Sequence, residues 1–321
     1  MAYILWVTRV KPDKPEKQSK KHAMKSAKIH IIAGPTASGK SERALALAER
    51  MGGVIINADS QQLFSDLPIL TARPTREDEA RAPHKLYGIL SAHELPSMGK
   101  WLRQAKMEID WARSNEQTPI VVGGTGLYIR ALMQGMAEIP EIDPVVRAQV
   151  TSDYEAMGKA AFEVRLAEVD PGFFRRLQVY DRQRLLRAYE VWLGTGKCLS
   201  WWQEQGNKPP YSADDFDIEI IEIDREELYQ RCDQRFDNMM EKGALEEVRG
   251  LWGHEEMAMV RNEAAYPHVP TSSYPLLKII GVRELAAHLA GECSLEQAID
   301  KAKQMTRNYA KRQLTWFRNQ F

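Results

Sequence analysis

Cysteine is scarce in this chain. There are three in 321 residues, Cys198, Cys232 and Cys293, far apart and in neither a paired zinc spacing nor a Cys-x-x-Cys pair. This excludes a disulfide-stapled framework and a redox dithiol, and it points to free thiols in a reducing compartment. Net charge is absent too, with 44 Lys+Arg against 44 Asp+Glu, so any grip on a polyanion must come from a local basic surface. No apolar run approaches the roughly 18 residues of a membrane span. Ile4-Leu5-Trp6-Val7 is too short for a secretion-signal core, and its lysines follow it instead of preceding it. The seven histidines have no metal-ligand spacing. The expectation is a cytoplasmic protein that does not enter a membrane and is large enough to bury a main core and a smaller one.

Residues 1–28 read as a basic, disordered tail, with Lys11, Lys14, Lys17, Lys20, Lys21, Lys25 and Lys28 among few apolar groups. Met24 is an alternative natural start. From Ile29 the texture changes. Ile29-His30-Ile31-Ile32-Ala33 is an apolar run ending in a glycine loop, followed by Ala44, Leu45, Leu47 and Ala48 at helical spacing. Val54-Ile55-Ile56 and Ile120-Val121-Val122 are further buried-strand runs, and Ile218 to Ile223 resumes the pattern. Strands alternating with helices predict an α/β fold: a P-loop-containing, doubly wound parallel sheet. Between Pro140 and about Asp214 the strand runs stop and arginine-rich helical text takes over. The expected division is therefore a core of residues 29–139 and 214–321, with helices at its C-terminal end, and an inserted helical lobe of residues 140–213. Trp201-Trp202 read as packing between lobes.

Gly34-Pro35-Thr36-Ala37-Ser38-Gly39-Lys40-Ser41 fits G-x-x-x-x-G-K-[ST] between a strand and a helix. Such a loop wraps backbone N–H groups around a diphosphate at a helix N-terminus, its lysine supplies a point charge, and the Ser41 hydroxyl is a ligand for Mg²⁺. Alone it says only that a phosphate is held, as in kinases and ATPases.

Asp59 follows the second strand, where ligands of open parallel sheets bind. A carboxylate there suits a general base or a magnesium ligand; equally, Asp59-Ser60 would cap a helix starting near Gln61. Gly123-Gly124-Thr125-Gly126 ends the later strand, bringing unencumbered backbone and a hydroxyl to the same sheet edge. An acidic Walker-B strand end is missing, which argues against an ordinary ATPase.

These stretches together resemble the tRNA dimethylallyltransferases, also called tRNA isopentenyltransferases. The resemblance is carried by GPTASGKS at 34–41, NADSQQLF at 57–64, TARPT at 71–75, VVGGTGLYIRAL at 121–132, DRQRLLRAYEVWLGTGK at 181–197, DREELYQRCDQRFDNMMEKGALEEV at 224–248 and RNYAKRQLTWFRN at 307–319, in family order. It implies a Mg²⁺-dependent enzyme acting as a monomer on dimethylallyl diphosphate and a tRNA anticodon loop. It implies Asp59 as general base at the adenine N6, with Thr125 and Arg235 at the reacting centre and residues 34–41 on the diphosphate. It further implies that Asp59, Ser60, Gln61 and Gln62, Thr125, Arg147, and Gln183, Arg184, Leu185, Leu186 and Arg187 meet tRNA. Gln61 and Leu63-Phe64 depart from the family pattern, a change expected to alter how the tRNA loop is held. No C-terminal zinc-finger array is present, as in the bacterial form. The rival readings are a nucleotide or small-molecule kinase, an adenylate dimethylallyltransferase, and a non-enzymatic RNA-binding module.

Overall fold

The computed structural model describes residues 27–176, 181–251 and 275–321, so the expectation for the tail lies almost wholly outside the described residues. Five parallel strands form one sheet in the order β3-β2-β4-β1-β5. They are β1 (Ile29–Ala33), β2 (Gly53–Asn57), β3 (His84–Lys85), β4 (Thr118–Gly123) and β5 (Phe216–Ile220). β2 and β4 are buried along their whole length, which is why they read as unbroken apolar runs; β5, with Asp217 and Glu219 exposed, is an edge. The two-residue β3 is too short to announce itself in the sequence.

Side chains alternate across the sheet. Ile29, Ile31, Ala33 and Val121 pack on one face with α3 (Met98–Ser114) and α4 (Gly126–Gln134). Ile32, Ile120 and Val122 pack on the other with Ala44, Leu45, Leu47 and Ala48 of α1 (Lys40–Met51), the helical stripe expected from their spacing. The chain leaves β1 toward β2 on one side and leaves β4 toward β5 on the other. The adjacent ends of β1 and β4 are therefore the switch point where such sheets take ligands.

After α4 and the short α2 (Arg76–Arg81) before it, helices predominate. α5 (Pro144–Val169), α6 (Pro171–Arg176), α7 (Arg182–Thr195) and α8 (Leu199–Glu204) surround their own cluster of Val150, Phe162, Leu166, Leu185, Tyr189 and Val191. Asp143 caps α5 ahead of Pro144, and Asp181 caps α7 through the N–H groups of Gln183 and Arg184. Trp202 packs into this lobe's own core and Trp201 is 36% exposed, so neither is wedged between lobes as expected.

The chain returns through β5 to α9 (Arg225–Glu241), α10 (Ala244–Leu251), α11 (Val282–Leu289) and the long α12 (Leu295–Gln320). These helices share a further cluster with Phe64, Leu67 and Leu70, and α12 runs along α9. Phe317 of α12 also reaches the sheet cluster, so the end of the chain is built into the core. Among the described residues no helix is long and apolar enough to cross a membrane.

Candidate active site

The loop after β1 turns through two left-handed residues, Ala37 (φ 61°) and Gly39 (φ 92°), before α1 starts at Lys40. This alternation aims backbone N–H groups into a concavity that favours anions, and the helix N-terminus adds its partial positive charge. The Ser38 hydroxyl is buried with no hydrogen-bond partner, a cost a bound anion would relieve. Lys40 is buried too, its ammonium curled back to donate to the Pro35 carbonyl at 2.5 Å. Burial pulls the Lys40 ammonium down to about 8; Asp59 opposes that fall and Arg235 adds to it. These opposed influences identify Lys40, Asp59 and Arg235 as one electrostatic group. Ser41 is exposed in the first turn of α1, free to share a cation with a bound diphosphate. Among the described residues no group of three His, Cys, Asp or Glu side chains gathers to hold a metal. The Ser41 hydroxyl beside the anion loop suits a divalent cation that takes most of its oxygen ligands from a bound phosphate.

Asn57, fully buried at the end of β2, shapes the next loop. Its amide donates to the carbonyls of Asp59 and Leu86, both at 3.0 Å, and its oxygen accepts from the Asp59 N–H at 2.8 Å. No helix begins at Gln61. The Asp59 carboxylate instead closes a turn by accepting from the Gln61 N–H at 3.0 Å, which removes the helix-cap alternative. The Thr125 hydroxyl accepts from the Ser60 N–H at 3.0 Å and donates to the Ser60 hydroxyl at 3.3 Å, so the β2 and β4 loops are tied beside Asp59. This closeness explains the glycines: a Cβ on Gly123 would stand 2.1 Å from the Ala58 carbonyl oxygen, and one on Gly124 would stand 2.2 Å from the Gln313 amide nitrogen. Turning the loop is not their main task.

Arg235 reaches in from α9 and donates to the Thr36 hydroxyl at 2.8 Å. Burial holds its guanidinium below the usual value, with Asp59 opposing. Thr36, Asp59 and Arg235 line one cleft with Gln61, Leu70, Thr71, Cys232, Phe236, Met239, Ile280, Thr306 and Tyr309. Its inner wall combines charge with an apolar side. Tyr309 of α12 lines the cleft, and burial, with Asp59 nearby, raises its phenol.

Not every expected contact residue faces this cleft. Gln62 donates to the carbonyls of Thr71 and Ala72, at 3.0 and 2.7 Å, and so braces the following segment. Leu63 and Phe64 are each 2% exposed, so their departure from the family pattern acts through interior packing. In the lobe, Gln183 and Arg184 are exposed, whereas the side chains of Leu185 and Leu186 are buried in the lobe core. Arg147 and Arg187 converge on the buried Glu190, at 3.5 and 3.3 Å. None of these lobe residues lines the cleft. Tyr309 and Gln313 were missed as site residues. Their block was legible, yet a tyrosine and a glutamine within a basic helix give no charge or spacing signal.

A parallel sheet whose switch point carries an anion loop, a carboxylate and a buried arginine around one cleft defines a P-loop α/β enzyme that acts on a phosphorylated substrate. The family model described as IPP transferase matches residues 62–320 and the one described as isopentenyl transferase matches residues 27–89; the chain belongs to the IPP transferase family. It is 50% identical over 293 residues to a tRNA dimethylallyltransferase of Phenylobacterium zucineum (strain HLK1), covering 91% of this chain and 90% of that protein. It is 47% identical over 292 residues to one of Rhodospirillum centenum (strain ATCC 51521 / SW), covering 91% and 88%. Among solved structures, a eukaryotic dimethylallyltransferase acting on tRNA superposes with a TM-score of 0.75 at 27% identity, covering 91% of this chain and 70% of that one. The full-length tRNA isopentenylpyrophosphate transferase of Bacillus halodurans gives 0.58 at 30% identity, covering 91% and 87%.

Proposed function

We propose that this chain transfers the dimethylallyl group of dimethylallyl diphosphate to N6 of the adenine 3′-adjacent to the anticodon of tRNA, releasing diphosphate. The observation that carries the reading is the shared cleft, in which the phosphate loop's Thr36, the carboxylate of Asp59 and the guanidinium of Arg235 are co-lining groups. Exocyclic adenine nitrogen is a weak nucleophile because its lone pair is delocalised into the ring. Asp59 takes the N6 proton as the N–C bond forms, a role generally worth about 10²–10⁴-fold. The allylic C–O bond breaks with its electron pair going to the diphosphate. Charge therefore builds on the leaving oxygens, where the residue 34–41 amides, Lys40 and Arg235 stabilise it. Ser41 would hold a Mg²⁺ ion, which would supply further neutralisation of that charge. Leu70, Phe236, Met239 and Ile280 offer the five-carbon chain an apolar wall.

Thr125 orients the acceptor side through Ser60. Arg147, Gln183, Arg184 and Arg187 of lobe 140–213 hold the anticodon loop while the target base leaves its stack and enters the cleft. The reading carries with it the cytoplasm as compartment and action as a monomer. Membership of the IPP transferase family tells against a kinase, and a free-nucleotide acceptor has no use for the arginine-bearing lobe.

Asp59→Ala is expected to bind tRNA as the native protein does and to lose transfer by at least about two orders of magnitude. The assay supplies labelled dimethylallyl diphosphate, ATP and either tRNA or AMP. Label on tRNA with ATP intact supports the assignment; label on AMP, or ATP consumption, replaces it with one of its rivals.

A further inference from the structure

Gln313 sits on the inner face of α12 and is only 6% exposed. Its amide oxygen accepts from the Thr36 N–H at 2.8 Å, and its amide nitrogen donates to the Gly124 carbonyl at 2.8 Å. One side chain thus bridges the loop after β1 to the loop after β4, the two ends that meet at the switch point of the sheet. Each anchor lies one bond from a group of the site. Thr36 also takes the Arg235 guanidinium on its hydroxyl, at 2.8 Å. Gly124 precedes Thr125, whose hydroxyl holds Ser60 beside Asp59.

The amide nitrogen stands where a Cβ on residue 124 would be, at 2.2 Å, so the glycine and the glutamine are matched. A residue that served only to fill space between α12 and the sheet would need neither a donor nor an acceptor, and an aliphatic side chain would suffice. Both polar ends are instead satisfied within a buried place, in a fixed order: oxygen toward the phosphate loop, nitrogen toward the acceptor loop. Because the Thr36 N–H is already engaged, ligand oxygens are left to the N–H groups further along the loop, and the bridge fixes where that cradle begins.

We propose that Gln313 is a positioning residue that sets the diphosphate half of the cleft against the acceptor half, and so aligns the leaving group with the attacking nitrogen. The inference rests on the proposed transfer reaction. Its effect belongs to the chemical step, because displacing one half against the other by a fraction of an ångström leaves each substrate's own contacts intact while spoiling their mutual alignment, and misplacements near 1 Å cost on the order of 10²-fold.

The test compares Gln313→Met, of similar length and without either hydrogen bond, with Gln313→Glu, which keeps the acceptor for Thr36 and loses the donor to Gly124. Prenyl transfer to tRNA, binding of inorganic diphosphate and melting temperature are measured for both and for the native protein. Gln313→Met is expected to lose kcat by at least tenfold, with KM for each substrate and Kd for diphosphate within about threefold of native, and Gln313→Glu is expected to fall between. Unchanged kcat, or a loss that appears in KM or diphosphate Kd instead, overturns the proposal. Failure of both variants to fold overturns it equally, since Gln313 would then be a strut for α12. Should the native protein itself leave tRNA unlabelled, the transfer reading fails first, and that result is distinct from any difference between variants.

Discussion

Lys40 carries an ammonium into a pocket where burial outweighs the pull of Asp59, and its proton is held only up to about pH 8. In the unfolded chain the same group keeps its proton to about 10.5. Between those values the unfolded state binds more protons than the folded one, so this group makes stability rise with pH across that window. Lys40→Met abolishes the effect. The ligand-free variant is expected to melt above the native protein near pH 7, with the gap closing as pH approaches 10; a gap that widens with pH would reverse the assignment. Asp59, Lys40 and the glycine loop were all legible as residues, because each stands in a motif dictated by backbone geometry. The choice between base and helix cap was not legible, since it depended on whether a helix followed, and the Asn57 amide that shapes the turn instead lies outside any motif of charge.

Elements with a clean period were readable: β1, β2, β4 and α1 bury apolar runs, and the buried polar residues Asn57, Thr118 and Lys40 stand at element ends. What α7 does was harder to read, because its sequence mixes a solvent-facing row with a core-facing row at adjacent positions. Gln183 and Arg184 point outward, whereas Leu185 and Leu186 are core, and one turn on Glu190 is buried between arginines of two helices. Glu190→Gln makes the lobe more positive, so simple attraction would tighten tRNA binding. If instead the carboxylate holds Arg147 and Arg187 in place, KM for tRNA rises about tenfold, close to the 1.5 kcal/mol of one charge-assisted hydrogen bond, and KM for dimethylallyl diphosphate stays put. Steady-state kinetics with both substrates varied distinguishes the two outcomes.

At the scale of the whole molecule, zero formal charge means that tRNA is not drawn in by a global field. The lobe's arginines have to act locally. With Arg147, Arg184 and Arg187 on phosphates of a single-stranded loop, the affinity for tRNA should fall with salt with a log–log slope of roughly −2, well short of that of a strongly basic RNA-binding protein. A slope near zero in filter-binding titrations would take the three arginines off the backbone. The packing of α12 against the sheet could not be read from sequence, because it pairs residues at opposite ends of the chain with no local signal.

That long-range bridge has a temporal side. Thr36 and Gln313 are 277 positions apart, and ribosomes add about 5–20 residues per second, so the phosphate loop emerges on the order of tens of seconds before its clasp exists. Until α12 is made, the Thr36 N–H and the Gly124 carbonyl lack the partner that joins them in the folded chain.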